Sequence, residues 1–129
     1  MPHHFEFDSA HRILLLVLEG EVDDLEMRQL NPELKAHAKE LAPAAGITDA
    51  TAVTTFNVAS STIRELALRP SPYAKSVLRF LIAPTDYLFG MARMYQIGAD
   101  REHMAVVRSR EEALAAIGVQ EPKFERLAK

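Results

Sequence analysis

Short apolar runs alternate with amphipathic stretches along most of the sequence. The clearest run is "ILLLVL" (Ile13–Leu18), which is too short to span a bilayer and suits a strand buried on both faces. Further strands are predicted at Thr51–Val58, at "AKSVLRFLIAP" and at "HMAVVRS". Strands separated by helices need crossover connections, so the pattern predicts a largely parallel sheet with helices packed on it.

The first two predicted strands are connected differently from the others. "HFEF" (His4–Phe7) is separated from "HRILLLVLEGEV" only by Asp8-Ser9-Ala10, which predicts an antiparallel hairpin. Gly20 is predicted to end the second strand. The expected fold is therefore α/β: a mixed five-stranded sheet in which the hairpin is followed by α-β-α-β-α-β-α, in one domain spanning residues 1–129.

Capping residues mark the first and last predicted helices. Asp23 with Glu26, and Ser109 with Glu112, have the spacing of capping boxes, in which side-chain oxygens accept hydrogen bonds from free backbone N–H groups. Gly118 is placed to end the last helix in a left-handed conformation.

The remaining helices are predicted from apolar periodicity and helix breakers. Pro32 is expected to kink or split the first helix, because proline lacks the N–H that a helix interior uses. A short helix is expected from Ser60 to about Leu68, before the breaker "RPSP". The tail "VQEPKFERLAK" is predicted to add a turn of helix or to fray.

Composition excludes several classes of partner and of functional site. The 129 residues carry a net charge of -3, with a sequence pI of about 5.9, which argues against nucleic acid as a partner. There is no cysteine, so disulfides, thiolate nucleophiles and cysteine-based metal sites are excluded. The N-terminus "MPHHFEFDSA" lacks the pattern of a signal peptide, and the expected location is the cytoplasm.

The stretch "LIAPTDYLFGMARMY" (Leu81–Tyr95) predicts a strand that runs into an unusually apolar helix. One stripe is the natural choice to face the sheet, and it consists of Leu88, Ala92 and Tyr95. A second apolar stripe consists of Tyr87, Met91 and Met94, with Phe89 beside Arg93 and a glycine at position 90. A single sheet cannot cover both stripes.

Three explanations for the second stripe stay open. It could be the interface of a homodimer, since exposed patches rich in Met and aromatic residues usually mark interfaces. Loops or the C-terminal tail, with Phe124 and Leu127, could cover it. It could also line a pocket for an apolar anion, with Arg93 holding a carboxylate or phosphate near Phe89.

The stretches "LIAPTDYLFGMARMY" and "HMAVVRSREEALAAIG", in that order, resemble the SpoIIAA-like branch of the STAS superfamily, the sulfate transporter and anti-sigma-factor antagonist domains. The motif resemblance covers residues 81–118, and the order of elements extends it over most of the chain. It implies a STAS-like fold and a domain that is not an enzyme, with a regulatory protein among its candidate partners.

The resemblance also draws attention to Ala59-Ser60-Ser61-Thr62. Anti-sigma-factor antagonists carry an aspartate-serine-serine-glycine motif here, and a kinase partner phosphorylates one serine. Ser60 and Ser61 match the two serines, which makes them candidate phosphorylation sites, whereas Ala59 and Thr62 depart from the motif. The alternative is that one serine simply caps the helix.

Other polar residues give weaker signals. Thr85 and Asp86 are interpreted as helix-capping residues. His3 and His4 are expected to be exposed, and no histidine pair has metal-site spacing. No nucleophile elbow, P-loop or dinucleotide fingerprint occurs, so no catalytic residue, metal or cofactor is predicted. The leading hypothesis is a non-enzymatic domain acting through protein contacts, followed by a carrier or sensor of an apolar anion; an enzyme ranks last.

Overall fold

A computed structural model describes residues 2–99 and 103–127 of the chain. The elements are β1 (His3–Asp8), β2 (Ile13–Asp23), α1 (Asp24–Leu41), β3 (Ala45–Asn57), α2 (Ser60–Leu68), β4 (Leu78–Ile82), α3 (Asp86–Ala99), β5 (Met104–Val107), α4 (Arg110–Ile117) and β6 (Glu125–Arg126). The predicted order of strands and helices is confirmed as far as α4.

The strands form one mixed sheet in the order β5-β4-β3-β2-β1-β6. The pairs β2–β3, β3–β4 and β4–β5 are parallel, whereas β1 is antiparallel to both β2 and β6. The predicted α/β fold with an N-terminal hairpin is therefore confirmed. The described part of the chain has six strands rather than the expected five, because the C-terminal tail adds β6.

The prediction of a helical or frayed tail was wrong in residues 119–127, and hydrogen bonds explain why. The Leu127 N–H donates to the Phe5 carbonyl at 2.9 Å, which pairs β6 with β1. The Lys123 N–H donates to the Asp8 carboxylate at 3.2 Å. Asp8 is fully buried and also accepts from the backbone N–H groups of Ala10 and His11, so one carboxylate holds both the hairpin turn and the tail.

Both faces of the sheet are covered, which explains why β2 is apolar at every position from Ile13 to Leu18. Alternate side chains of a strand point to opposite faces. Leu14, Leu16 and Leu18 belong to a core that includes residues of α1, α2 and α3. The intervening residues of β2 pack in a second core with α4. At the start of α4, Arg110 donates to buried Asp49 at 2.8 and 3.0 Å.

Several elements differ from the prediction in extent or continuity. β4 occupies only Leu78–Ile82 of the predicted "AKSVLRFLIAP". β2 continues past Gly20, whose φ of +63° accompanies shifts in pairing register, and ends at Asp23. β3 begins at Ala45 rather than Thr51 because it pairs with β2 and β4 on both sides. α1 is not split: Pro32 lies within one continuous helix, on an exposed side where water can replace the missing backbone donor.

Candidate functional site

The inner side of α3 faces a cavity above the sheet. Leu88, Met91, Ala92 and Tyr95 line this cavity together with residues of α1, α2 and strands β2 to β4. The sheet-facing stripe predicted for Leu88, Ala92 and Tyr95 is confirmed. Met91, which was predicted in the second stripe, also faces the cavity, because the inward-facing side of the helix is wider than one stripe.

The outer side of α3 is open to solvent. Tyr87 is 57% exposed and Ile97 is 68% exposed. The Tyr87 hydroxyl donates to the Phe56 carbonyl at 3.4 Å, which is the ring's polar contact with the rest of the chain. A methyl group placed on Gly90 would meet no other atom within 4 Å. Met94 is partly buried against the core. The glycine therefore leaves a shallow, accessible site on this side.

Phe89 and Arg93 do not share a partner. The guanidinium of Arg108 lies 4.1 Å from the centre of the Phe89 ring, and it also forms an ion pair with Asp86 at 3.0 Å. Arg93 is exposed and donates to the Gln96 side chain at 3.0 Å. The basic group over Phe89 is thus Arg108, which the sequence did not single out.

The C-terminal tail runs away from α3. β6 pairs with β1 at one edge of the sheet, whereas α3 packs near β5 at the other edge. Phe124 contacts the core on the α4 side, and Leu127 contacts the core that includes β1 and α1. The tail segment up to residue 127 therefore lies near the edge of the sheet that is opposite to α3.

The turn before α3 confirms the capping interpretation. The Thr85 hydroxyl accepts a hydrogen bond from the Leu88 N–H at 3.2 Å. Asp86 adds negative charge to the first turn, where it complements the helix dipole.

The start of α2 is capped differently from the prediction. The N-cap residue is Ala59, and neither Ser60 nor Ser61 makes a side-chain capping bond. The Ser60 hydroxyl instead accepts from Arg64 at 3.3 Å, while Ser61 is exposed. The Asp24 carboxylate of α1 accepts from the Ala59 N–H at 2.9 Å. This hydrogen bond, followed by one from a threonine hydroxyl of α2, lowers the pKa of Asp24.

The two N-terminal histidines are not exposed as expected. His3 is buried and lies between Glu26 and Glu33 of α1. His4 Nε2 lies 2.6 Å from Glu6 Oε2, and its other ring nitrogen contacts Glu19. Within residues 2–99 and 103–127, no group of three such side chains is arranged to hold a metal ion.

The cavity beneath α3 contains a charged residue that sequence reasoning missed. Arg79 of β4 is only 8% exposed and lines the cavity on the same sheet face as Thr48. Its Nη1 donates to the Tyr95 hydroxyl at 3.1 Å. Its guanidinium carbon lies 5.2 Å from the centre of the Tyr73 ring and 5.3 Å from that of Tyr95. Arginine in a strand that is otherwise apolar, "LRFLI", is the signal that could have found it.

Comparisons with known proteins concern the fold. No protein-family model matches the sequence, and no curated protein matches it. The Bacillus cell fate determinant SpoIIAA, in its phosphorylated form, matches with a TM-score of 0.53 at 18% identity, over 89% of this chain and 98% of SpoIIAA. The anti-sigma factor antagonist SpoIIAA in its unphosphorylated form matches with a TM-score of 0.51 at 14% identity, over 92% of this chain and 99% of its own. The chain has the SpoIIAA fold.

Within the SpoIIAA fold, the predicted site residues fall into separate groups. Ser60 and Ser61 lie at the start of α2. Tyr87 and Arg93 lie on the exposed side of α3, and Met91 lies on its inner side. α2 and α3 pack against each other, so the SpoIIAA fold places the serines and the apolar helix in adjacent elements. No helix in the described ranges is both long enough and apolar enough to cross a lipid bilayer.

Proposed function

We propose that this chain is a non-enzymatic regulatory domain that acts through protein contacts. The observation that carries the proposal is the SpoIIAA fold, since the matched SpoIIAA structures are described as an anti-sigma factor antagonist and a cell fate determinant. Fold alone does not define function, so the contact surface has to be argued from the residues themselves.

The contact surface in this proposal is the outer face of α3, defined as Tyr87, Gly90, Arg93, Met94 and Ile97. It offers exposed apolar area on a rigid helix, and the bare glycine lets another backbone approach closely. We propose a symmetric homodimer built on this face, because isologous pairing is the commonest way to bury a single apolar patch.

Ser60 and Ser61 are the candidate switch in this proposal. One matched SpoIIAA structure is a phosphorylated form. A phosphoryl group on Ser60 would lie at a helix N-terminus, near Arg64, both of which attract anions. Asp24, which bonds to the Ala59 N–H, would oppose it. Phosphorylation would therefore displace Asp24 and alter the junction of α1 and α2 beside α3.

The alternative, a carrier of an apolar anion held by Phe89 and Arg93, has weaker support. The Phe89 ring is engaged by Arg108, and Arg93 is exposed with its donor directed to Gln96. An anion at an exposed arginine gains little, because water screens the attraction.

Light scattering coupled to size exclusion tests the homodimer. Wild type is expected at twice the 14.4 kDa mass of one chain. Gly90→Arg is expected at the mass of one chain, because a long charged side chain would project from the centre of the outer face. The substitution is tolerated within a subunit, since nothing lies within 4 Å of the new Cβ and arginine favours helix more than glycine does.

Ala116→Arg is the matched control, because it adds the same group to an exposed position of α4 on the opposite side of the sheet. It is expected to remain dimeric. A wild type that is monomeric at high concentration, or a folded Gly90→Arg protein that stays dimeric, would contradict the homodimer.

A further inference from the structure

Arg79 is a buried cation that has no counter-charge among residues 2–99 and 103–127. Among the described residues, no carboxylate forms an ion pair with it, and its Nε–H has no hydrogen-bond partner. The Tyr73 and Tyr95 rings stabilise the guanidinium through cation–π contacts. Buried charges in proteins are normally paired, so a free donor on a guanidinium that is more than nine-tenths buried indicates an absent anionic partner.

The cavity that Arg79 lines is largely apolar. Its volume is about 100 Å³, and most of its wall is aliphatic, including Leu16, Ala50 and Met91. A dry cavity of about 150 Å³ is known to accept benzene, so a smaller branched hydrocarbon group is the size that fits here. Arg79 pairs with Gly46, four residues before Ala50 on β3, so the cationic group and the apolar wall at Ala50 are separated along the sheet.

Two further polar groups near Arg79 lack hydrogen-bond partners in the described part of the chain. Thr48 Oγ1 belongs to a residue that lines the cavity, on the strand beside Arg79. The Tyr73 hydroxyl is buried, and its ring lies beside the guanidinium. Burial raises the pKa of Tyr73 to about 12, although the Arg79 charge opposes this, so the phenol stays protonated and can donate.

We propose that this cavity binds a small carboxylate with a branched aliphatic body, and that Arg79 anchors the carboxylate group. A guanidinium recognises a carboxylate through charge-assisted hydrogen bonds, which are stronger in a protein interior than in water. Thr48 supplies a hydroxyl at the same wall, and the aliphatic residues enclose the branched body. The site is independent of the outer face of α3, because Arg79 lies on the other side of that helix.

Isovalerate is the probe, with isovaleramide as its uncharged counterpart of similar shape. Binding is followed by methyl NMR of the full chain labelled at methionine. Met27 and Met91 line the cavity, whereas Met94 does not, so it provides an internal control. Isovalerate is expected to produce saturable shifts at Met27 and Met91, and isovaleramide should bind about 10- to 100-fold more weakly, as loss of a charged hydrogen bond implies.

Arg79→Met is expected to weaken isovalerate binding by a similar factor. Methionine removes the cost of burying an unpaired charge and has a side chain of comparable length, so the variant is expected to fold. Lys39→Met is the matched control and should bind like wild type, because Lys39 is an exposed cation of α1 that does not line the cavity. Ala50→Leu fills the cavity at its apolar wall and leaves Arg79 in place, so it should also abolish isovalerate binding. This variant tests the proposal if Arg79→Met fails to fold.

The proposal is overturned if isovalerate gives no saturable shift in wild type. It is equally overturned if Arg79→Met binds as wild type does, or if the amide binds as tightly as the acid.

Discussion

Gly46→Ala tests the packing that surrounds Arg79. Gly46 and Arg79 are paired neighbours on β3 and β4. A Cβ on Gly46 would lie 2.4 Å from the Cζ and hydroxyl oxygen of Tyr73, far inside contact distance. The ring is the far end of a side chain, but it is buried and packed against the guanidinium. The alanine methyl group should therefore displace the Tyr73 side chain, because a small rotation of the ring would not relieve the clash.

The magnitude follows from two opposing effects. Overpacking a well-filled core typically costs about 1–3 kcal/mol. Replacing glycine by alanine at a compatible backbone position stabilises by about 0.4–1 kcal/mol, through the lower entropy of the unfolded chain. Gly46 does not have a left-handed φ, so this gain applies. The net loss should be about 1–2 kcal/mol, which lowers Tm by about 4–8 °C for a chain of this length.

Urea unfolding followed by circular dichroism measures the effect, and a double-mutant cycle assigns its cause. In a Tyr73→Leu background the ring is absent, so Gly46→Ala should cost nothing or should stabilise slightly. The reasoning would be refuted by a Gly46→Ala protein as stable as wild type. It would also be refuted by an equal loss in both backgrounds, since the clash with Tyr73 would then not be the cause.

Two further predictions concern buried carboxylates. Burial alone would raise the pKa of Asp8, but hydrogen bonds from His11 and from the Lys123 backbone outweigh it and lower the pKa below its ordinary 3.8. The stability that ionised Asp8 contributes is therefore fully present above about pH 4, and it is lost as the pH falls through the lower pKa of the folded state. Asp8→Asn should lower the free energy of unfolding in urea by about 1–3 kcal/mol at pH 7 and by less near pH 3. An equal loss at both pH values would contradict this. Arg110→Ala should cost about 1–3 kcal/mol by leaving Asp49 without its cation, and an unchanged Tm would show that this ion pair adds nothing.

Helices were predictable because their signals are local. The end of α2 at Leu68 was predicted from the breaker "RPSP" that follows it. Ser109 accepts from the Glu112 N–H, and Gly118 has a φ of +90°, as the capping pattern implied. Pro32 does not split α1, because one lost backbone hydrogen bond matters less on an exposed side of a helix held in place by its buried face.

The limits of the strands depend on pairing with segments that are distant in the sequence, and local sequence patterns do not identify those segments. "AAGITDA", from Ala44 to Ala50, has little strand propensity, yet most of it forms β3 because β2 and β4 lie on either side. β6 is only two residues long and depends on donors to Phe5 and Asp8, more than a hundred residues earlier in the chain. No local pattern can predict such contacts.

The same limit explains why the sequence pointed to Arg93 instead of Arg79. Arg93 was conspicuous because it interrupts an apolar helix, but a helix has a solvent side, and Arg93 lies on it. Arg79 lies in a strand covered on both faces, where either direction of its side chain leads into a core. Because Arg79 pairs with Gly46, its side chain lies on the sheet face beneath α3, and the glycine leaves room there for the Tyr73 ring. A charge in a doubly covered strand is therefore a stronger indication of a site than a charge on an amphipathic helix.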